Sequence, residues 1–247
     1  MIAIHGYDRA LALSAQAFVG LVPAVVVVST LAPPGALRTG EAALNTGLGL
    51  PADAPATWAM PVEQSSAGPT SAVVGSVLLV VSLLGFTRAL QRTYLAAWRL
   101  PSTGLSGVGQ GLLAAAALIS GFAGVILLAA VLPRTGAHPV VELGVHAGTA
   151  TLLWWPVQRL LLGTRVPWRA LLPGAVLTGV GQAVVVVVSR RLLPVAMTRE
   201  AAKYGLLGVA VVLVSWLVVL GLLLVLSALL SAELALDESR DPAGADD

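Results

Sequence analysis

Three arginines in the stretch 88–99 (RALQRTYLAAWR) are spaced to act together. On a helical wheel at ~100° per residue Arg88, Arg92 and Arg99 fall at about 0°, 40° and 20°, opposite Leu90, Tyr94, Ala97 and Trp98. Such a stripe fits a surface-lying or cavity-lining helix that holds anionic lipid headgroups or an anionic substrate. The plainer reading is a cationic anchor that fixes topology. A second cationic group is Arg190, Arg191, Arg199 and Lys203, opposed in its own segment only by Glu200. It either collects an anionic ligand at a mouth or neutralises membrane phosphates. Glu142 and His146 are four residues apart, hence on one helix face. An ionisable pair within a bilayer is a proton-relay or ion-site hypothesis, although Glu142 just precedes an apolar run and belongs at the headgroups. Gln16 and Gln182 sit inside apolar runs and are expected to bond between helices rather than to bind a ligand.

Other chemistries are absent. Cysteine is missing, which removes disulfides, thiolate metal sites and thiol nucleophiles. The one lysine, Lys203, is followed by Tyr204, so there is no GxxxxGK[ST] phosphate loop and no direct use of ATP. The three histidines, His5, His138 and His146, form no HExxH or other metal-ligand pattern, and no GxSxG elbow occurs. No catalytic residue, metal or cofactor is therefore expected, and the chain is not read as an enzyme. A formal charge of +2 gives no nucleic-acid footprint.

The elements that must position these groups follow from composition. Of 247 residues 57% are hydrophobic and 11% charged, and the mean hydropathy is +0.91. Soluble domains carry about 25% charged residues, so a water-soluble globule is excluded. An apolar helix of about 20 residues crosses a hydrocarbon core of roughly 30 Å. The apolar runs predict an all-α, polytopic membrane protein with spans at about 10–32, 70–90, 108–132, 143–163, 170–190 and 204–234. The fourth is long enough only if Arg159 snorkels to the headgroups. The first run is too long for a signal-peptide core and is expected to be retained.

Six spans put both termini on one side. That side would carry Arg9, Arg88, Arg92, Arg99, Arg159, Arg165, Arg169 and Arg240; the other would carry Arg38, Arg134, Arg190, Arg191, Arg199 and Lys203. The early loops give the clearer bias, so both termini are read as cytoplasmic. Residues 1–236 form one membrane domain, with a short helix near 36–48 in the longest loop and a disordered acidic tail at 237–247. Small-residue spacings, Gly107 to Gly111 and Gly144 to Gly148, permit close helix contact within the bundle or in a homo-oligomer. Pro23, Pro156 and Pro173 predict kinks.

Several segments, in order, resemble the YihY/virulence factor BrkB family of bacterial inner-membrane proteins. The opening span ALALSAQAFVGLVPAVVVVSTL contains Pro23; RALQRTY ends at Tyr94, with Gln91 where the family has Asn; RVPWRALLPGA includes Trp168, Pro173 and Gly174; YGLLGVAVVLVSWL and SAEL include Tyr204, Gly205, Trp216 and Glu233, with Ser231 in place of Gly. The resemblance implies a six-helix plasma-membrane protein with both ends inside, and functions proposed around transport, lipid or envelope homeostasis. Some relatives were once labelled a ribonuclease; this chain shows no group that would bind catalytic metal or RNA.

Two functions are carried forward. The first is ATP-independent transport or lipid handling of an anionic or amphiphilic solute, with membrane lipids as partners and the two cationic groups as its contacts. The second is a non-catalytic structural or partner-binding envelope protein. A water-filled or lipid-open cavity touched by Arg88 and Arg92 favours the first, a solid bundle the second.

Overall fold

The computed structural model describes residues 2–31, 69–101, 108–131 and 138–238. Among them are six α-helices and no strand: α1 Ile2–Leu31, α2 Pro69–Ala97, α3 Val108–Val131, α4 Pro139–Leu162, α5 Trp168–Tyr204 and α6 Leu206–Glu238, with a 3-10 turn at Gly163–Arg165 between α4 and α5. Helices suit this composition because every interior backbone donor and acceptor is paired within the segment, leaving only apolar side chains to face outward. The start of α4 is capped locally: the His138 ring accepts from the Val140 N–H at 3.3 Å, and Pro139, lacking an N–H, takes the first helical position. The helices continue through Pro23, Pro156, Pro173 and Pro194.

Each helix packs on the next in sequence, and α6 returns to α1, closing a ring; α2 reaches across it to α4 and α6. The start of α1, the last turns of α2, α4 and α6 and the first turn of α5 share one end, here the near end. Leu13, Leu90, Tyr94, Trp154, Val157, Leu161 and Leu171 fill the core on that half. Close approach is set by small residues. A Cβ at Gly221 would lie 2.7 Å from the Ala10 carbonyl and 2.8 Å from the Ser14 hydroxyl, and that hydroxyl bonds across to the Leu217 carbonyl at 2.8 Å. The outer surface is apolar, with Val73, Val77, Val81, Leu152, Val180 and Val184 all exposed. Among the described residues three stretches are long and apolar enough to cross a membrane: Val73–Ala97, Trp168–Tyr204 and Leu206–Asp237.

Several expected boundaries shift. The six expected spans each correspond to a helix, and three of these helices contain the stretches just named. The expected last loop, 191–203, is helix: α5 runs 37 residues through Pro194. Its junction with α6 is the single residue Gly205, whose φ of 58° lies in the region glycine enters without strain. The resulting hairpin tip has its own small core of Leu193, Met197 and Val209, against which Trp216 packs. Helix α2 continues past Leu90 but stops at Ala97, and Arg99 turns away at φ 53°. The three-arginine stripe is thereby corrected: Arg88 and Arg92 share the helix, and Arg99 does not. Helix α4 begins early enough to take Glu142 into its first turn, where the helix dipole favours an acid. Asp237 and Glu238 belong to α6 rather than to a disordered tail. The expected helix near 36–48 and the tail at 239–247 lie outside the described residues.

Candidate functional site

Two groups that are 37 residues or more apart in sequence meet at the far end, between the start of α4 and the middle of α5. Glu142, Leu143 and His146 face Ala183, Val186, Val187, Arg190 and Arg191 around a pocket of about 220 Å³. The Arg190 Nη1 and the Glu142 Oε2 are 3.7 Å apart, an ion pair too long for a direct hydrogen bond. The Arg190 Nε is buried and has no hydrogen-bond partner among the described residues. His146 Nδ1 lies 3.0 Å from the Glu142 carbonyl. A carbonyl only accepts, so Nδ1 is the donor and carries the ring proton. Two guanidinium groups against one carboxylate leave the pocket electropositive, while its remaining walls are aliphatic. An anionic group joined to an apolar body matches that lining.

The near end is built differently. Tyr94, Gln158, Thr178 and Ser227 come from α2, α4, α5 and α6, and each is at most 2% exposed. Thr178 donates to the Ser227 hydroxyl at 2.8 Å and Gln158 to the Tyr94 hydroxyl at 3.5 Å. Gln91 bonds to the Leu161 carbonyl at 3.2 Å, and Ser231 to the Ala170 carbonyl at 3.1 Å. Gly174 allows this closeness, since a Cβ there would lie 2.8 Å from the Ser231 Cβ. Around this junction the Trp168 ring meets Trp155 edge-on at 5.5 Å and the Arg159 guanidinium at 5.7 Å, and Trp155 Nε1 donates to the Trp168 carbonyl at 2.9 Å. Arg99 pairs with Glu233 at 3.0 Å across exposed surface.

The residues singled out by sequence thus divide into three sets. Glu142, His146, Arg190 and Arg191 assemble into one pocket, although they read as two unrelated groups. Arg88, Arg92 and Arg99 are exposed and line neither pocket described here. A smaller near-end pocket of about 170 Å³ is lined instead by Gly6, Arg9, Thr93, Ala96, Ala97, Val225 and Leu229, with Arg9 reaching the Arg92 carbonyl at 3.4 Å. Arg199 and Lys203 lie on the hairpin tip, where Lys203 pairs with Glu200 at 3.2 Å.

Neither glutamine bonds to another described side chain. Gln16 is exposed, with its amide oxygen against Gly85, and Gln182 is half-buried. Of the motif positions, Pro23, Tyr94 and Gly174 are buried, Pro173 and Trp216 half-buried, and Trp168, Tyr204, Gly205 and Glu233 exposed. Gly144 and Gly148 face open space, so the close contacts lie at other glycines.

Sequence reading missed Gln158, Thr178, Ser227 and Arg9. The first three are single polar residues inside apolar runs, and their only signal was that an unpaired polar group in hydrocarbon is costly. Among the described residues no three His, Asp or Glu side chains come together to hold a metal.

A family model described as Virulence factor BrkB matches residues 3–247, essentially the whole chain. No curated protein and no solved structure matches it.

Proposed function

The chain belongs to the virulence factor BrkB family, and from that membership and the far-end pocket we propose an ATP-independent membrane protein that moves or holds an anionic, amphiphilic solute. It is not an enzyme in this reading. The observation that carries the proposal is the meeting of Arg190 and Arg191 with apolar walls in one cavity.

In the bilayer all six helices cross, the near end is cytoplasmic, and the pocket opens outward from a bacterial plasma membrane. Helix lengths support that placement. At ~1.5 Å per residue, Arg159 and Glu142 in α4 stand about 25 Å apart along the axis, and Arg169 and Arg190 in α5 about 31 Å. Both values match a hydrocarbon core of roughly 30 Å with charged residues at its two faces. Helix α5, 37 residues long, is about 55 Å by the same rise, so its last turns project beyond the outer face.

Reconstitution in liposomes tests the proposal directly. Wild-type protein should raise lipid scrambling or efflux of an anionic amphiphile such as hexanesulfonate above the rate of empty vesicles. The paired substitution Arg190→Gln with Arg191→Gln should return it to that rate. Wild-type rates equal to those of empty vesicles across lipids and anions would end this reading.

A second reading, a partner-binding envelope protein, draws support from the projecting tip, where Leu206, Leu207 and Val211 are exposed beside Arg199 and Lys203. It requires co-purification of a stable partner that is lost when the tip is shortened.

A further inference from the structure

We infer that the far-end pocket binds its anion together with a proton, held on the Nε2 of His146. The inference rests on the reading of that pocket as an anion site and adds a second ligand to it.

The His146 Nδ1 already donates to the Glu142 carbonyl, so in the neutral ring Nε2 has only a lone pair, and no described residue bonds to it. A neutral His146 therefore offers a bound anion nothing; once protonated, it offers a second N–H and a positive charge. Imidazole is the side chain whose charge ordinarily changes between about pH 5 and 8.

The charged surroundings act together. On its own helix His146 faces Glu142, and from α5 it faces Arg190 and Arg191. Helix α3, also packed on α4, contains no titratable residue, and the arginines of α2 are toward the near end. An arriving anion meets the unpartnered Arg190 Nε and Arg191 beside Glu142, whose hold on Arg190 is loose at 3.7 Å. Without a proton, the pocket then contains two negative groups against two guanidinium groups. With Nε2 protonated, a third cation offsets the added charge. By linkage, whatever the proton does for the anion, the anion does equally for the proton. Affinity should fall as pH rises, and binding should draw a proton from the outer solution.

The test uses full-length protein in zwitterionic nanodiscs, with hexanesulfonate as probe because its charge is constant over this range. Calorimetric titration should show binding about tenfold tighter at ~pH 5.5 than at ~pH 8, within the usual range of coupling between two ligands. Repeating it in buffers of different ionisation enthalpy should show close to one proton taken up per anion at intermediate pH. That measurement needs no variant. His146→Gln should bind equally at both pH values, at the weaker level. Glu142→Gln should bind more tightly than wild type at ~pH 8 and retain the pH dependence.

Binding that is pH-independent with no proton uptake, or a pH dependence that survives His146→Gln, overturns the inference while leaving the anion site standing. Failure of wild type to bind at either pH overturns both. Replacing part of the disc lipid with phosphatidylglycerol separates two sources of the same chemistry. Competition with the probe identifies a lipid headgroup as the anion; undiminished probe binding identifies a free solute. Either result is compatible with the proton and supports the inference if uptake persists.

Discussion

The near and far ends of the bundle use polar residues in opposite ways. At the near end Tyr94, Gln158, Thr178 and Ser227 are shut in and bonded to one another across four helices. At the far end Glu142, His146, Arg190 and Arg191 surround a pocket, with one ion pair at 3.7 Å and one guanidinium nitrogen unpartnered. The first set is closed on itself and lines neither pocket, although two buried donors beside it, Trp154 Nε1 and Arg159 Nη1, have no partner among the described residues; the second surrounds open space. Family resemblance and chemistry therefore separate in space. The motif residues Tyr94, Trp168, Gly174 and Glu233 lie at the near end and Tyr204, Gly205 and Trp216 in the far-end hairpin, and none of them lines the far-end pocket.

The largest effect expected under this contrast is at the near-half core. Trp154 is 1% exposed, and Trp154→Ala should cost about 3–5 kcal/mol, as truncation of a buried aromatic usually does. Its indole N–H has no partner among the described residues. Trp154→Phe removes that orphan donor along with some volume and should cost clearly less. Thermal unfolding in detergent, read by loss of a monodisperse peak, checks both. Equal losses for Phe and Ala would mean that the N–H does bond, and that volume is not what matters.

Next in size is Gly174→Val. The new side chain would meet Ser231 and the Gln158 amide oxygen, 3.3 Å from where the Cβ must go. Overpacking of this kind costs about 1–3 kcal/mol. The same assay should place it below Trp154→Ala. Gly144→Val, facing open space, is the control and should be close to neutral. A Gly144 variant as damaging as the Gly174 variant would show that the exposed GxxxG face is covered by another subunit.

Those glycines show how legible the chain was. Spacing marked Gly144 and Gly148 as contact residues because four-residue repeats share a face, but spacing says nothing of which face meets a neighbour. Apolar run length located the helices, since burial in lipid is a property of each segment alone. It misplaced the ends of α2 and α5, where tertiary contacts decide: the hairpin core of Leu193, Met197 and Val209 keeps 191–204 helical, a pairing between segments that periodicity in either one does not reveal. The four far-end residues were each recognised as unusual by charge and position. Their assembly into one pocket depended on α4 and α5 packing together, which only the fold supplies.

The smallest effect on stability, and the one that separates the two ends most sharply, belongs to the double substitution Glu142→Gln with Arg190→Gln. Removing either partner alone leaves an uncompensated charge at a half-buried site. Removing both leaves neither, and replacing both members of a pair is often nearly neutral. The two side chains keep 32% and 20% of their exposure and lie 3.7 Å apart, so little direct bonding is lost. Unfolding stability should stay within about 0.5 kcal/mol of wild type, while hexanesulfonate efflux falls toward the empty-vesicle rate because Arg190 no longer meets the anion. A loss of about 2 kcal/mol or more would make this pair a structural clasp like those of the near end, and the division of labour between the two ends would not hold. Wild-type efflux from a stable double variant would keep the structural half of the contrast and reassign the binding role to Arg191 and the hairpin tip.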